Sequence, residues 1–451
     1  MKKNYMKKSL ILMLSLAFFA SVSQAQQLPN STFEDWSGEK FDGKEQPKSW
    51  NFSNVTQVGL SFNFAHKEAG HNGGYCVMAQ DQEIGAMGIT EVSPSYISLG
   101  TPWVYLPSIT QINKATAGTY GGINWTSRPD TMSVWIKRTG ANVLREDFHL
   151  LFYAWKGEAR GNSYRGKNGD CTSVSWTNEE SDIRLNTDGN ECGTAQKATQ
   201  ICEGWHYERK EYAQWTNIRV PIYYMNDEVP TMANVIFSAS NYPNFRANSG
   251  LYAGNSLYID DVEMIYSARI DQLYIGDKPW NGFNPDTEEE QTYSIGNATT
   301  VPTIYAKRGI GSLTNHKGKT TNFIGRRLTE SECKISYGKV GEVTTIKVTS
   351  ADGKKTRTYK IRFARELSKN ADLAEVKVNG EAIVNFSGSK LNYDVALPYG
   401  TKTAPIITCQ TADEVTSCTI TQASSATGTA KIVVVAANSA YSKTYTFKFS
   451  I

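Results

Sequence analysis

Apolar residues recur at every second position in three clear segments of this chain. In TMSVWIK (131–137), Met132, Val134 and Ile136 share one face. In DFHLLFYAW (147–155), Phe148, Leu150, Phe152 and Ala154 face one way, while Leu151, Tyr153 and Trp155 face the other. In WTNIRVPIYY (215–224), Ile218, Val220 and Ile222 line a face. A period of two puts alternate side chains on opposite sides of a sheet. Runs of this kind, rich in Val, Ile, Thr and aromatics, alternate with Gly, Asn, Asp and Pro breaks. Helical periodicity is nearly absent, so the pattern predicts an all-β chain.

Two strings far apart explain each other. LPNSTFEDW (28–36) and LYIDDVEMIY (257–266) are apolar strand sequences interrupted by carboxylates. They predict one domain whose first and last strands lie side by side, with acids converging at the seam. That domain, residues 26–267, is expected to be a jelly-roll β-sandwich. Beyond it the chain repeats itself. The stretches opening at Ile270 and Leu373 share a strand, a Gly turn and a Tyr-ended strand. Thr345–Glu366 matches Ala430–Ile451, with Tyr359 against Tyr445 and Phe363 against Phe449. Two immunoglobulin-like β-sandwich modules follow, 268–366 and 367–451, separated by the polar ARELSKNAD (364–372).

The first 25 residues read as a signal peptide. Lys2, Lys3, Lys7 and Lys8 precede an apolar run, Leu10 to Ala20, too short for a bilayer core of about 30 Å. Ser23 and Ala25 supply a small-residue cleavage site, and no second apolar stretch approaches a membrane span. The expected location is extracytoplasmic: periplasm, cell surface or secreted. A formal charge of +3 argues against an electrostatic nucleic-acid binder. Seven cysteines leave at least one without an intrachain partner. Cys409 and Cys418 flank a turn-like segment and are expected to form a disulfide, which export permits. Among Cys171, Cys192 and Cys202 one pairing is open, and Cys76 and Cys333 stand alone in sequence. No CxxC or closely spaced His supports zinc.

The strings NSTFEDW, PDTMSVWIK, DFHLLFYAW and LYIDDVEMIY together resemble the putative carbohydrate metabolism domain family of secreted Bacteroidetes-type proteins. The resemblance covers roughly 240 residues. It implies a jelly roll related to carbohydrate-binding modules and glucanases, but transfers no catalytic residue. The tail units resemble cadherin-like β-sandwich modules.

Three chemistries are open to the front domain. Glu34, Asp35, Asp260 and Asp261 offer oxygen ligands for a structural calcium ion, with Glu34, Asp260 and Asp261 the expected set; capped strand ends or ion pairs are the plainer fate of the same acids. Trp135, Tyr153 and Trp155 are expected to line an open sheet face on which sugar rings stack. A glycosidase would need two carboxyls about 5.5 Å or roughly 6.5–9.5 Å apart. Glu146, Asp147, Glu158, Asp170, Glu179, Glu180 and Asp182 lie near the expected concave strands, without a spacing that pairs any two. Asp147 and His149 offer an acid–His couple with no Ser or Cys beside it. His206 reads as a structural histidine. Lys307, Arg308, Lys317, Lys319, Arg326 and Arg327 read as a solvated charged face, or as a dock for an acidic glycan or the outer-membrane surface. The favoured function is non-catalytic recognition of a glycan or polysaccharide at the cell envelope, with possible cell-surface protein partners. The alternatives are a glycoside hydrolase and an adhesin-like structural protein.

Overall fold

The structure is a computed structural model and describes residues 25–38, 40–57, 60–86, 88–105, 110, 116–157, 199–241, 251–315 and 318–451. The signal segment, the insertion carrying Cys171 and Cys192, and the acids from Glu158 to Asp182 lie outside them. The described residues contain no α-helix and build mainly antiparallel sheets, so the all-β sandwich expectation holds. By proximity the chain divides into two compact units. One runs to Pro285 and includes Ile304–Lys334 and Lys347–Arg357; the other comprises Asp286–Thr303, Ile335–Ile346 and Thr358–Ile451.

Two sheets dominate the first unit. The five-stranded sheet orders Tyr212–Pro221, Thr131–Thr139, Ser256–Ile265, Tyr75–Gln80 and Ala65–Ala69. The larger sheet orders Asn51–Phe52, Tyr96–Ser98, Met232–Ser238, Phe148–Lys156, Thr199–Glu208 and Tyr223–Tyr224, with Ile123–Asn124 also pairing Met232–Ser238. The alternation read from sequence sets the packing. Met132, Val134, Ile136 and Val220 from the first sheet meet Phe148, Leu150, Phe152 and Ala154 from the second in one buried core. Each fully buried Val, Leu, Ile or Phe contributes about 1.5–3 kcal/mol, which fixes which face of each strand points inward.

Strand Phe148–Lys156 is buried on both faces. Its Leu151, Tyr153 and Trp155 belong to a second cluster with Tyr96, Trp205, Met232 and Ile236, against which Tyr207 and Leu313 pack. Tyr153 is 2% and Trp155 1% exposed. This corrects the expected open face: neither ring offers a stacking plane. The physical reason was in the string, because FHLLFYAW is apolar at nearly every position, the mark of a strand covered on both sides.

The leading segment does run along the last strand of the front sandwich. The Gln27 side chain donates to the Met264 carbonyl (2.7 Å) and accepts from the Met264 amide (2.8 Å), and the Val262 amide donates to the Ser31 carbonyl (2.9 Å). It is a turn rather than a strand. Asn30 and Phe33 have φ of 44° and 52°, and the Asn30 side chain bonds both the amide and the carbonyl of Asp35. A side-chain amide supplies the pairing that strand backbone would have made, while Leu28, Phe33 and Trp36 enter the core.

The first unit also holds a four-stranded sheet, Lys278–Pro279, Gln272–Ile275, Ile304–Thr314 and Thr320–Arg327. In the second unit, strand Ser442–Ser450 lies between Asn392–Ala396, which it pairs in parallel, and Thr429–Ala436, which it pairs antiparallel. Glu290–Ser294 pairs in parallel with Thr356–Ala364 in the same register, Glu290 opposite Lys360 as Asn392 is opposite Thr446. The sequence repeat is therefore a repeat of pairing, with Tyr359 and Tyr445 both fully buried.

Candidate functional site

The outward face of the five-stranded sheet gathers aromatic, acidic and basic side chains. Opposite the core-facing Met132, Val134 and Ile136, the same strand turns Trp135 and Lys137 outward. On neighbouring strands Trp135 pairs with Asn217 and Asp260, and Lys137 with Tyr258. Trp215, Asn217 and Arg219 share the outward parity of their strand, since Ile218 and Val220 face the core.

An irregularity in strand Ser256–Ile265 shapes the acidic part. The register against Thr131–Thr139 shifts between Ser133 and Trp135, and Asp261 sits at the shift with φ of 43°. An extra residue in one strand re-aims side chains. Leu257 and Ile259 enter the core, and so do Val262 and Met264, with parity reversed. The two aspartates between them therefore both leave the core side.

They hold the turn between strands Ala65–Ala69 and Tyr75–Gln80. Asp260 Oδ2 accepts from the His71 amide (2.7 Å), and Asp260 Oδ1 from the Asp261 amide (2.8 Å). Asp261 Oδ2 meets His71 Nδ1 at 3.2 Å and accepts from the Asn72 side chain at 3.1 Å. Glu34 Oε1 accepts from the Tyr75 amide at 3.0 Å. Gly74, with φ of 66°, is required here: a Cβ would lie 2.1 Å from Glu34 Oε1. Burial raises the Asp260 carboxyl to about 6; the His71 and Asp261 amides oppose this, and the Asp261 and Glu34 charges add to it.

The turn lays His71 flat on Trp135, with ring centroids 3.7 Å apart and planes 20° apart. Trp215 meets His71 edge-on at 5.7 Å and Tyr258 at 6.5 Å. The Lys137 ammonium lies 3.9 Å from the Tyr258 ring centre and 5.7 Å from that of Trp215. Trp135, Trp215, Tyr258, His71 and Lys137 are each half-buried.

The three expected ligand acids thus converge, as the seam reading required, and Trp135 joins them on the same face. Their oxygens accept amide hydrogens of the turn, and among the described residues no group of three or more His, Cys, Asp or Glu is arranged to hold a metal ion. Asp35 instead pairs with Lys48 at 2.8 Å. The Asp147–His149 couple does not form. His149 accepts from Trp205 Nε1 (3.0 Å) and meets Asn241 Oδ1 (3.2 Å), while Asp147 pairs with Arg209. His206 is half-buried, and burial lowers its pKa. Sequence reasoning missed His71 and Tyr258 and gave Trp215 and Lys137 no special weight. Strand parity alone marked Trp215, Lys137 and Tyr258; nothing local marked His71, which arrives through a turn.

No family model matches the chain. A gellan lyase from Bacillus sp is 37% identical over 89 residues, which is 20% of this chain and 4% of that enzyme. A solved structure named a putative glycoside hydrolase from Bacteroides thetaiotaomicron aligns over 52% of this chain and 70% of its own, with 15% identity and a TM-score of 0.33. A second of that name from Bacteroides vulgatus aligns over 45% and 77%, with 14% identity and a TM-score of 0.27.

Proposed function

We propose that the protein binds carbohydrate on the outward face of the five-stranded sheet. Trp215, Tyr258 and the Trp135–His71 stack form the aromatic part, and Lys137, Asn217 and Arg219 the polar part. The observation that carries the reading is the grouping of four aromatic rings, all half-buried and in mutual contact, on the solvent side of a sheet whose other side is core. Sugar rings pack their C–H faces on such planes while neighbouring polar groups bond the hydroxyls. The stretch shared with a gellan lyase is consistent with this. Export by way of the leader, and a place at the cell envelope, belong to the same proposal.

Titration of the full chain against a panel of polysaccharides tests it. Replacing Trp215 by Ala is expected to weaken binding about tenfold, the loss of one stacking contact of about 1.4 kcal/mol. Equal affinity of variant and parent refutes the assignment. Repeating the titration with chelator tests the separate expectation of calcium at Glu34, Asp260 and Asp261. A second reading has one observation in its favour: a carboxyl raised to about 6 (Asp260) lies beside the rings. Release of new reducing ends, abolished by Asp260→Asn, would favour the hydrolase.

A further inference from the structure

The basic run at 307–327 divides by strand parity. Arg308 and Arg326 are buried: Arg308 meets Asp130 at 3.3 Å, and Arg326 makes a two-pronged pair with Glu332 at 2.7 and 2.9 Å. This corrects the reading of all six cations as one solvated face. Lys317 lies outside the described residues. Lys307 and Arg327 point the other way and face each other across strands Ile304–Thr314 and Thr320–Arg327.

These two cations rest on tyrosines rather than on acids. Tyr274 and Tyr305 are cross-strand partners whose rings stack at 4.6 Å and 9°. The Arg327 guanidinium lies 3.8 Å from the Tyr305 ring centre, and the Lys307 ammonium 5.7 Å from that of Tyr274. Among the described residues no carboxylate lies within ion-pair distance of either cation; Asp227 accepts the Arg327 amide, not its guanidinium. Burial, then the neighbouring Tyr305 phenol, raises the Tyr274 hydroxyl above its ordinary pKa.

We infer that this ridge is a second binding site, for a uronate-bearing polysaccharide. The reasoning is one of complementarity. Cross-strand neighbours sit about 5 Å apart, so two cations at one register position can share a single carboxylate or bond successive ones. The stacked rings hold the guanidinium in place before any ligand arrives, which reduces the ordering cost of binding. The tyrosine hydroxyls supply the donors and acceptors that sugar hydroxyls need. The ridge shares no residue with the Trp135–Trp215 face, so it stands or falls separately from it.

The test uses the full chain with polygalacturonate as probe, dextran as the neutral control, and phosphatidylcholine–phosphatidylglycerol vesicles as the competing anionic surface. Polygalacturonate is expected to bind, more weakly as salt rises, and dextran to leave the ridge unaffected. Lys307→Ala and Arg327→Ala should each weaken binding about fivefold or more, and Arg327→Lys less than Arg327→Ala. Trp215→Ala should leave polygalacturonate binding through the ridge in place. The inference is overturned if the double alanine variant, shown folded by unchanged circular dichroism, binds as the parent does. It is equally overturned if the parent binds vesicles but not polygalacturonate.

Discussion

Removing one buried carboxyl should change how the fold responds to pH. Asp81 and Glu146 are each 1% exposed, and among the described residues Asp81 Oδ2 has no hydrogen-bond partner. Asp81 Oδ1 accepts from the Ser95 amide (2.6 Å) and the Ser240 hydroxyl (3.2 Å), and Glu146 Oε1 from the Asn255 side chain. Arg138 stands nearby, but its two Nη atoms donate to the carbonyls of Val143, Lys210, Glu146 and Ala239. Burial raises Glu146 from 4.5 to about 7, against the opposing Asn255 bond and Arg138 charge. Burial and the Glu146 charge push Asp81 the same way. Between pH 4.5 and 7 the folded chain therefore keeps a proton that the unfolded chain releases. The stability this represents is complete below pH 4.5 and is lost as pH rises to 7, a change of about 3 kcal/mol. Glu146→Gln, neutral at every pH, should flatten that fall. Thermal and urea unfolding of parent and variant at pH 5, 6, 7 and 8 reads it directly. The variant should gain on the parent steadily from pH 5 to 7 and level off by pH 8. A difference between the two that does not vary with pH refutes the argument.

Gly74→Ala should destabilise the first unit by about 2 kcal/mol or more, because the new methyl meets the Glu34 carboxylate and the backbone holds a positive φ; a melting temperature equal to the parent's would contradict it. Cys409 and Cys418, on consecutive strands that belong to different sheets, place their sulfurs 3.2 Å apart, longer than a bond of about 2.05 Å but close enough to close into one. Protein exported into an oxidising compartment should carry them as a disulfide, seen as the loss of two thiols at these positions on peptide mapping. Recovery of both as free thiols would count against it.

Much of the sandwich was legible because period two is a strong signal where one face of a strand is wet. Met132, Val134 and Ile136 fell inside and Trp135 outside for that reason alone. The same rule misled at Phe148–Lys156, where both faces are apolar and parity cannot say which is covered. It was silent at Asp261, since one inserted residue with positive φ reverses the alternation and leaves no mark beyond an Asp–Asp pair. The turn at Asn30–Phe33 was hidden behind apolar residues that enter the core without being a strand. The position of His71 over Trp135 depends on Glu34, Asp260 and Asp261 gripping a glycine turn some 190 residues from the aspartates, and no local pattern encodes a contact of that span. The split of the basic run into buried Arg308 and Arg326 and outward Lys307 and Arg327 was implicit in alternation, but only the acids at Asp130 and Glu332 explain why arginines occupy the inner positions.

The place of Ser442–Ser450 in the interior of its sheet has a consequence for biosynthesis. Because neighbours on both flanks hydrogen-bond to this ribbon, neither can complete its ladder while those nine residues are still inside the ribosome tunnel. That sheet can therefore close only after residues 442–450 emerge, whereas the pairing of Glu290–Ser294 with Thr356–Ala364 does not wait for them.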